Sequence, residues 1–185
     1  MLIIGITGTL GAGKGTIVDY LVKEKGFAHF SVRGYITEEI VRRGMPVNRD
    51  SMVNVANSLR AAHSPSYIID QLYEQAMLTG KNCIIESIRT PGEVQSLAEK
   101  GNFVLFAVDA DPMMRYDRIV MRNSETDRIS FATFIENEER EMQSDDPNKQ
   151  NIGKCIELAD HIFYNNSSVQ KLYKYIEEVL NQLNI

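Results

Sequence analysis

Lys14 sits inside the string Gly8-Thr9-Leu10-Gly11-Ala12-Gly13-Lys14-Gly15-Thr16, directly after the apolar run Leu2-Ile3-Ile4-Gly5-Ile6. A glycine-rich turn between a strand and a helix aims its backbone N–H groups at one point, and the helix dipole adds positive potential there. A lysine at the end of that turn supplies a mobile charge for the outer phosphates of a nucleotide. The spacing from Gly8 to Gly13-Lys14 fits a phosphate-binding loop. The context strengthens it: a β-branched run precedes, and Ile17-Val18-Asp19-Tyr20-Leu21-Val22 carries the apolar positions of a helix. Against a plain strand-to-helix turn stand two further glycines, Gly11 and Gly15. The hydroxyl that commonly ligates Mg²⁺ right after the lysine is displaced by Gly15 to Thr16. Any Mg²⁺ is therefore expected mainly on water and phosphate oxygens. Thr16 and, through water, Glu86 are the protein's candidate contributors.

Glu86 closes the apolar string Ile84-Ile85 and leads into Ser87-Ile88-Arg89. An acid at a strand end beside a phosphate loop can orient water on a metal ion, and Arg89 can meet an anionic substrate. The competing reading makes Glu86 a helix cap or a buried structural carboxylate. All eleven arginines lie between Arg33 and Arg140, with only Lys81 and Lys100 among them. The planar fork of arginine matches phosphate oxygens in pairs, which the lysine ammonium does not. Arg115, Arg118 and Arg122 share one helical face by their spacing. Arg128 follows the polar stretch Asn123 to Asp127, so this region fits a short lid that brings positive charge over a transferring group. Solvated surface arginines are the plain alternative. Arg42 and Arg43 beside Gly44 read as a helix C-terminal charge pair. His29 is expected to be partly buried, and no zinc or Ser-His-acid constellation is visible.

These residues need a frame that brings them together. Beyond the first strand, four short apolar segments read as buried parallel strands: 28–31, 82–86, 103–108 and 161–164. A helical insert separates the second from the third, broken at Gly44-Met45-Pro46 and at Ser64-Pro65-Ser66. Asp111-Pro112 and Ser130 start helices, and residues 167–183 form a terminal amphipathic one. The alternation predicts a three-layer α/β/α sandwich around a five-stranded parallel sheet. In such sheets ligands bind at the carboxyl ends of the strands, where the loop, Ser31, Glu86 and Asp109 all fall.

The bulk numbers agree with one domain of this kind over residues 1–185. Hydrophobic residues make up 43% and charged residues 24%, an ordinary globular balance. A net charge of −5 argues against a general nucleic-acid or anionic-membrane binder. Cys83 falls in an apolar run, and neither it nor Cys155 has metal-ligand or disulfide spacing. With no signal peptide and no 18-residue apolar stretch visible, a cytoplasmic location without membrane contact is expected. Oligomeric state is left open.

The segments MLIIGITGTLGAGKGT, HFSVRGYITEEIVRRG, NVANSLRAAHSPSY, IIESIRTPGEV, FVLFAVDADPMMRYDRIVMR and ELADHIFYNNSS span nearly the whole chain. Together they resemble the nucleoside monophosphate kinase branch of the P-loop kinases. Within it the chain is similar to archaeal-type adenylate kinase-related and dephospho-CoA kinase-like proteins. The resemblance implies ATP as cofactor, its phosphates held by Gly8 to Thr16, with Mg²⁺. It implies a small phosphorylated acceptor bound in an insert of about residues 33–80, with Arg33, Arg60 and Arg89 on the acceptor beside Glu86. Arg118, Arg122 and Arg128 match a lid of about residues 122–130, and Asn165 matches a loop that borders the adenine. The pattern departs in one place: many relatives carry an acid near Ser31-Val32-Arg33-Gly34, and none stands there. That absence disfavours an alcohol acceptor, which needs a base, over a nucleotide monophosphate, whose phosphate oxygen is already nucleophilic. The lid is short and lacks zinc-binding cysteines. The readings kept beside a nucleoside monophosphate kinase are a dephospho-CoA or other small-alcohol kinase and a regulatory ATPase without an acceptor. A nucleic-acid end kinase fits the acidic balance poorly.

Overall fold

The computed structural model describes residues 1–123 and 128–185. Five strands form one parallel sheet: β1 (Ile3–Gly8), β2 (Ala28–Ser31), β3 (Cys83–Glu86), β4 (Phe103–Asp109) and β5 (His161–Tyr164). Their order is β2-β3-β1-β4-β5, with Ile6 in register with both Glu86 and Phe106. The predicted strand positions hold. β1 runs on to Gly8, where the phosphate loop begins.

Successive side chains on a strand face opposite ways, and both faces of this sheet are covered. Ile4, Ile6, Ile84, Phe106 and Phe163 pack against α1 (Lys14–Lys25) and α9 (Val169–Gln182). Ile3, Ile85 and Leu105 pack on the other face with α2 (Val32–Arg42), α3 (Arg49–Ala62), α4 (Tyr67–Met77), α5 (Pro91–Glu99) and α8 (Ile152–Glu157). The three layers follow from this double burial. The predicted insert is α2, α3 and α4, broken at the two expected glycine and proline sites. Arg42 and Arg43 both reach back to Glu39 at the end of α2. His29 is exposed rather than partly buried, because the outermost strand β2 leaves it facing solvent.

Helix starts position the site. α6 (Pro112–Arg122) is capped by Asp111 and α7 (Phe131–Met142) by Ser130. Ser31 caps α2 and Asn48 caps α3. α5 opens with a full capping box, in which Thr90 accepts from the Glu93 amide and Glu93 accepts from the Thr90 amide. Thr90-x-x-Glu93 is a readable signature of that box. α1 differs: its N-cap is Gly13, in the left-handed region, with no side-chain cap.

Candidate active site

The loop between β1 and α1 is held by close backbone approach. Gly8 has φ +133°, and a Cβ there would lie 2.0 Å from the Val108 carbonyl oxygen of β4. Gly13 has φ +105°, and a Cβ there would lie 2.4 Å from Asn165 Nδ2. Only glycine fits either place without strain. The first amides of a helix have no intrahelical acceptor, and α1 offers no side chain in their stead. Thr9 Oγ1 donates to Asp109 Oδ1 (2.7 Å), tying the loop to the end of β4.

Lys14 folds back onto this loop. Its Nζ donates to the carbonyls of Gly8 (2.8 Å) and Thr9 (2.7 Å). Desolvation, then the nearby Arg89 guanidinium, brings its pKa down to about 7 against the opposing pull of Glu86. An ammonium held this reluctantly is poised to gain from a polyanion.

Lys14 and the loop floor a cleft of about 1030 Å³, counting its open mouth. Glu86, Arg33, Arg118 and Arg122 also line it. Glu86 accepts from Ser31 Oγ (2.7 Å), and that same hydroxyl accepts from the Gly34 amide at the start of α2. Arg118 donates from Nη2 to the Asn165 carbonyl (2.8 Å) and from Nη1 to the Ala12 carbonyl (3.4 Å). Asn165 Nδ2 donates to the same Ala12 carbonyl (2.8 Å). The β5–α9 connection is thereby stitched to the phosphate loop through Asn165.

A second cavity, about 560 Å³ including its opening, adjoins the first. The two share Arg33, Ser87 and Arg89. Val32, Ile36, Met52, Val53 and Ala56 make one apolar side of it. Arg60 also lines it and is only 1% exposed. Glu93, fully buried, takes Arg60 Nη2 (2.7 Å) and Nε (3.1 Å) on one oxygen and the Arg89 and Thr90 amides on the other. Arg60 Nη1 is left without a partner. Arg89 Nη1 donates to Glu141 Oε2 (2.9 Å) and Gln150 Oε1 (2.6 Å), and Arg49 Nη2 to Glu141 Oε1 (2.6 Å). Ser87, between Glu86 and Arg89, holds φ +70°, a conformation that side chains rarely adopt. Backbone strain of this kind gathers where function over-determines the chain.

The structure therefore brings Arg33, Arg60, Glu86, Arg89, Arg118 and Arg122 to the rim of two joined cavities beside the loop. Arg128 stands apart: it is exposed and donates to Asn123 Oδ1 (3.2 Å). The middle of the expected lid, residues 124–127, lies outside the described residues. Arg115, on the same helical face as Arg118 by spacing, is buried against Glu138 and the Ala110 carbonyl instead. Arg49, Ser87, Glu93, Glu141 and Gln150 are site residues that the sequence reading missed. The Thr90-x-x-Glu93 signature would have found Glu93.

A family profile described as an AAA domain matches residues 4–143. A UPF0200 protein of Methanococcus vannielii is 30% identical over 186 residues, covering 99% of this chain and 97% of the relative. A gluconokinase from Sinorhizobium meliloti aligns with a TM-score of 0.61 at 11% identity, over 98% of this chain and 93% of that one. A shikimate kinase from Bacteroides thetaiotaomicron aligns at 0.55 and 14% identity, over 97% and 98% of the two chains. At these identities the likeness establishes the fold, that of the P-loop kinases.

Proposed function

We propose that this chain, which belongs to the UPF0200 protein family and to the AAA-domain family, moves the γ-phosphoryl group of ATP to a small phosphorylated acceptor. A nucleoside or deoxynucleoside monophosphate is the leading acceptor. The observation that carries this reading is the pair of adjoining cavities, one floored by the phosphate loop and the other lined by arginines, joined at Arg33, Ser87 and Arg89. A nucleotide switch has no need of a second anion pocket opening onto the first.

Phosphoryl transfer asks little covalent chemistry of the protein, so positioning and charge neutralisation dominate. In this reading the amides at Gly8 to Thr16 and Lys14 grip the donor phosphates. Asn165 and Arg118 wall the nucleoside side of the loop. Arg33, Arg60 and Arg89 orient the acceptor, and Arg122, with Arg128 from the lid's far side, neutralises the transferring group. Among the described residues no group of three or more His, Cys, Asp or Glu could cage a metal ion. The donors that fit Mg²⁺ are the Thr16 hydroxyl and the Glu86 carboxylate, and bound Mg²⁺ would supply charge neutralisation between the phosphates.

An ADP-release screen with Mg-ATP tests the reading, run against ribo- and deoxynucleoside monophosphates and dephospho-CoA. Release stimulated by one monophosphate supports it. Release that no acceptor stimulates points to a regulatory ATPase. Stimulation by dephospho-CoA alone would make Glu86, the carboxylate lining the donor cleft, the candidate base for a hydroxyl acceptor.

A further inference from the structure

The acceptor pocket already holds an anion of the chain's own. Glu141, near the end of α7, is 5% exposed, and its two carboxylate oxygens accept from Arg49 and Arg89 separately. Around this seat three guanidiniums, Arg49, Arg60 and Arg89, meet two carboxylates, Glu93 and Glu141. Arg33 lines the same cavity, and taking Glu141 out removes one of the two carboxylates that face these arginines. Two buried donors also lack acceptors, Arg49 Nε and Arg60 Nη1. A buried guanidinium N–H without an acceptor is a standing penalty.

We propose that Glu141 is a placeholder that the phosphate dianion of the acceptor displaces, so that this pocket selects phosphate monoesters over carboxylates and neutral alcohols. The inference deepens the phosphotransferase reading and rests on it for the word acceptor. The chemistry follows from counting oxygens and charges. A carboxylate ligand has two oxygens and one charge, so exchanging it for Glu141 gains nothing. A phosphate monoester dianion has three terminal oxygens and two charges. It can take over both arginine hydrogen bonds and has an oxygen left for a further donor of Arg49 or Arg60, which line the same cavity and carry the two unpartnered atoms. Arginine forks favour this head group geometrically as well. A neutral alcohol cannot displace Glu141 at all.

The displacement has a mechanical consequence. One turn before Glu141, Glu138 pairs with Arg115, whose Nη1 also approaches the Leu10 carbonyl in the phosphate loop. α7 therefore touches the donor loop's support through one glutamate and the acceptor seat through the next. Releasing Glu141 frees the end of α7 while Glu138 keeps its hold.

The test measures binding of orthophosphate at pH 8 to the Lys14→Met chain, in which the phosphate loop is weakened as a competing site, and to the same chain with Glu141→Gln. Removing the internal carboxylate should tighten orthophosphate about tenfold or more and give acetate a measurable affinity it lacks with Glu141 present. Hydrogen exchange supplies a readout that needs no change at Glu141. Orthophosphate should accelerate exchange of the amides at 138–142 when Glu141 is present. Orthophosphate binding both proteins within twofold overturns the proposal, and so does unchanged exchange along α7. If Glu141→Gln does not fold, the exchange measurement on the Lys14→Met chain decides alone. Neither readout requires turnover. A chain that shows both effects yet phosphorylates no acceptor refutes the phosphotransferase reading and leaves the placeholder standing.

Discussion

The phosphate loop and the arginine-lined pocket, donor and acceptor sites in the proposed reading, are built to hold an anion in opposite ways. The loop works with main chain. It puts glycine where a Cβ would collide with Val108 or Asn165, and it leaves the N-terminus of α1 without a side-chain cap. The pocket works with side chains: Arg60 from α3, Arg89 after β3, Glu93 from α5 and Glu141 from α7. Backbone dipoles need no counter-ion when empty. Buried guanidiniums do, because unpaired buried charge is expensive, and Glu93 and Glu141 pair with them here. α5, whose capping box satisfies its own amides, marks the contrast with α1: one helix start is closed by a side chain and the other, at Gly13, is not.

The sharpest break between the two regions is at Lys14. Lys14→Met should lower kcat/KM by about a thousandfold or more, because the charge it supplies has no substitute in the loop. The fold should not suffer. Burial holds the folded pKa near 7, below its usual 10.5, so between those values the unfolded chain binds more protons and stability rises with pH. Removing the ammonium removes that burden. A thermal melt showing Lys14→Met clearly less stable than the parent at pH 7 would contradict the assignment.

Arg60 should behave in the reverse manner. Arg60→Met strands the fully buried Glu93 carboxylate, and breaking one side of such a pair costs about 3–5 kcal/mol. Adding Glu93→Gln should recover part of that stability without restoring acceptor binding. Denaturant titrations of the single and double variants, paired with acceptor KM, separate the two roles. Equal loss of stability in both variants would mean that Glu93 matters for its cap rather than its charge.

That asymmetry also explains what could be read in the sequence. The loop was legible because its requirements are local: glycines at fixed offsets after an apolar strand. The strands were legible because a sheet covered on both faces leaves short apolar runs, as in Ile84-Ile85 and Phe103 to Val108. The pocket was not, because its ion pairs join residues far apart in sequence, Arg49 with Glu141 and Arg89 with Glu141. Spacing placed Arg115 beside Arg118 on one face, but which of them turns inward depends on Glu138. The positive φ of Ser87 leaves no mark in residue type, since serine has no preference for it.

The Lys14 pKa makes a prediction about the donor side alone. A bound polyphosphate restores the ammonium, so nucleotide binding takes up a proton wherever free Lys14 is neutral. Above pH 7, nucleotide affinity should fall by up to about tenfold per unit, with little dependence on Lys14 below it. Calorimetric titrations of ADP in buffers of differing ionisation enthalpy should show close to one proton absorbed at pH 8 and none in Lys14→Met. Orthophosphate binding at the acceptor seat, measured in that variant, should lack this signature.

The smallest effects separate the arginines that line the cleft. Arg118 touches the Ala12 and Asn165 carbonyls, so Arg118→Ala loses contacts that hold the loop's wall, of which the short charge-assisted hydrogen bond to Asn165 (2.8 Å) is worth about 1.5 kcal/mol. That corresponds to about a tenfold rise in KM for ATP. A lid contact made only as the phosphoryl group moves would lower kcat instead. Arg128→Ala offers the comparison, since Arg128 donates to the Asn123 side chain at the end of α6. If Arg128 reaches the transferring group on closure, its loss falls on kcat with KM for ATP unchanged. A kcat-only effect at Arg118 would move that residue from the wall to the lid.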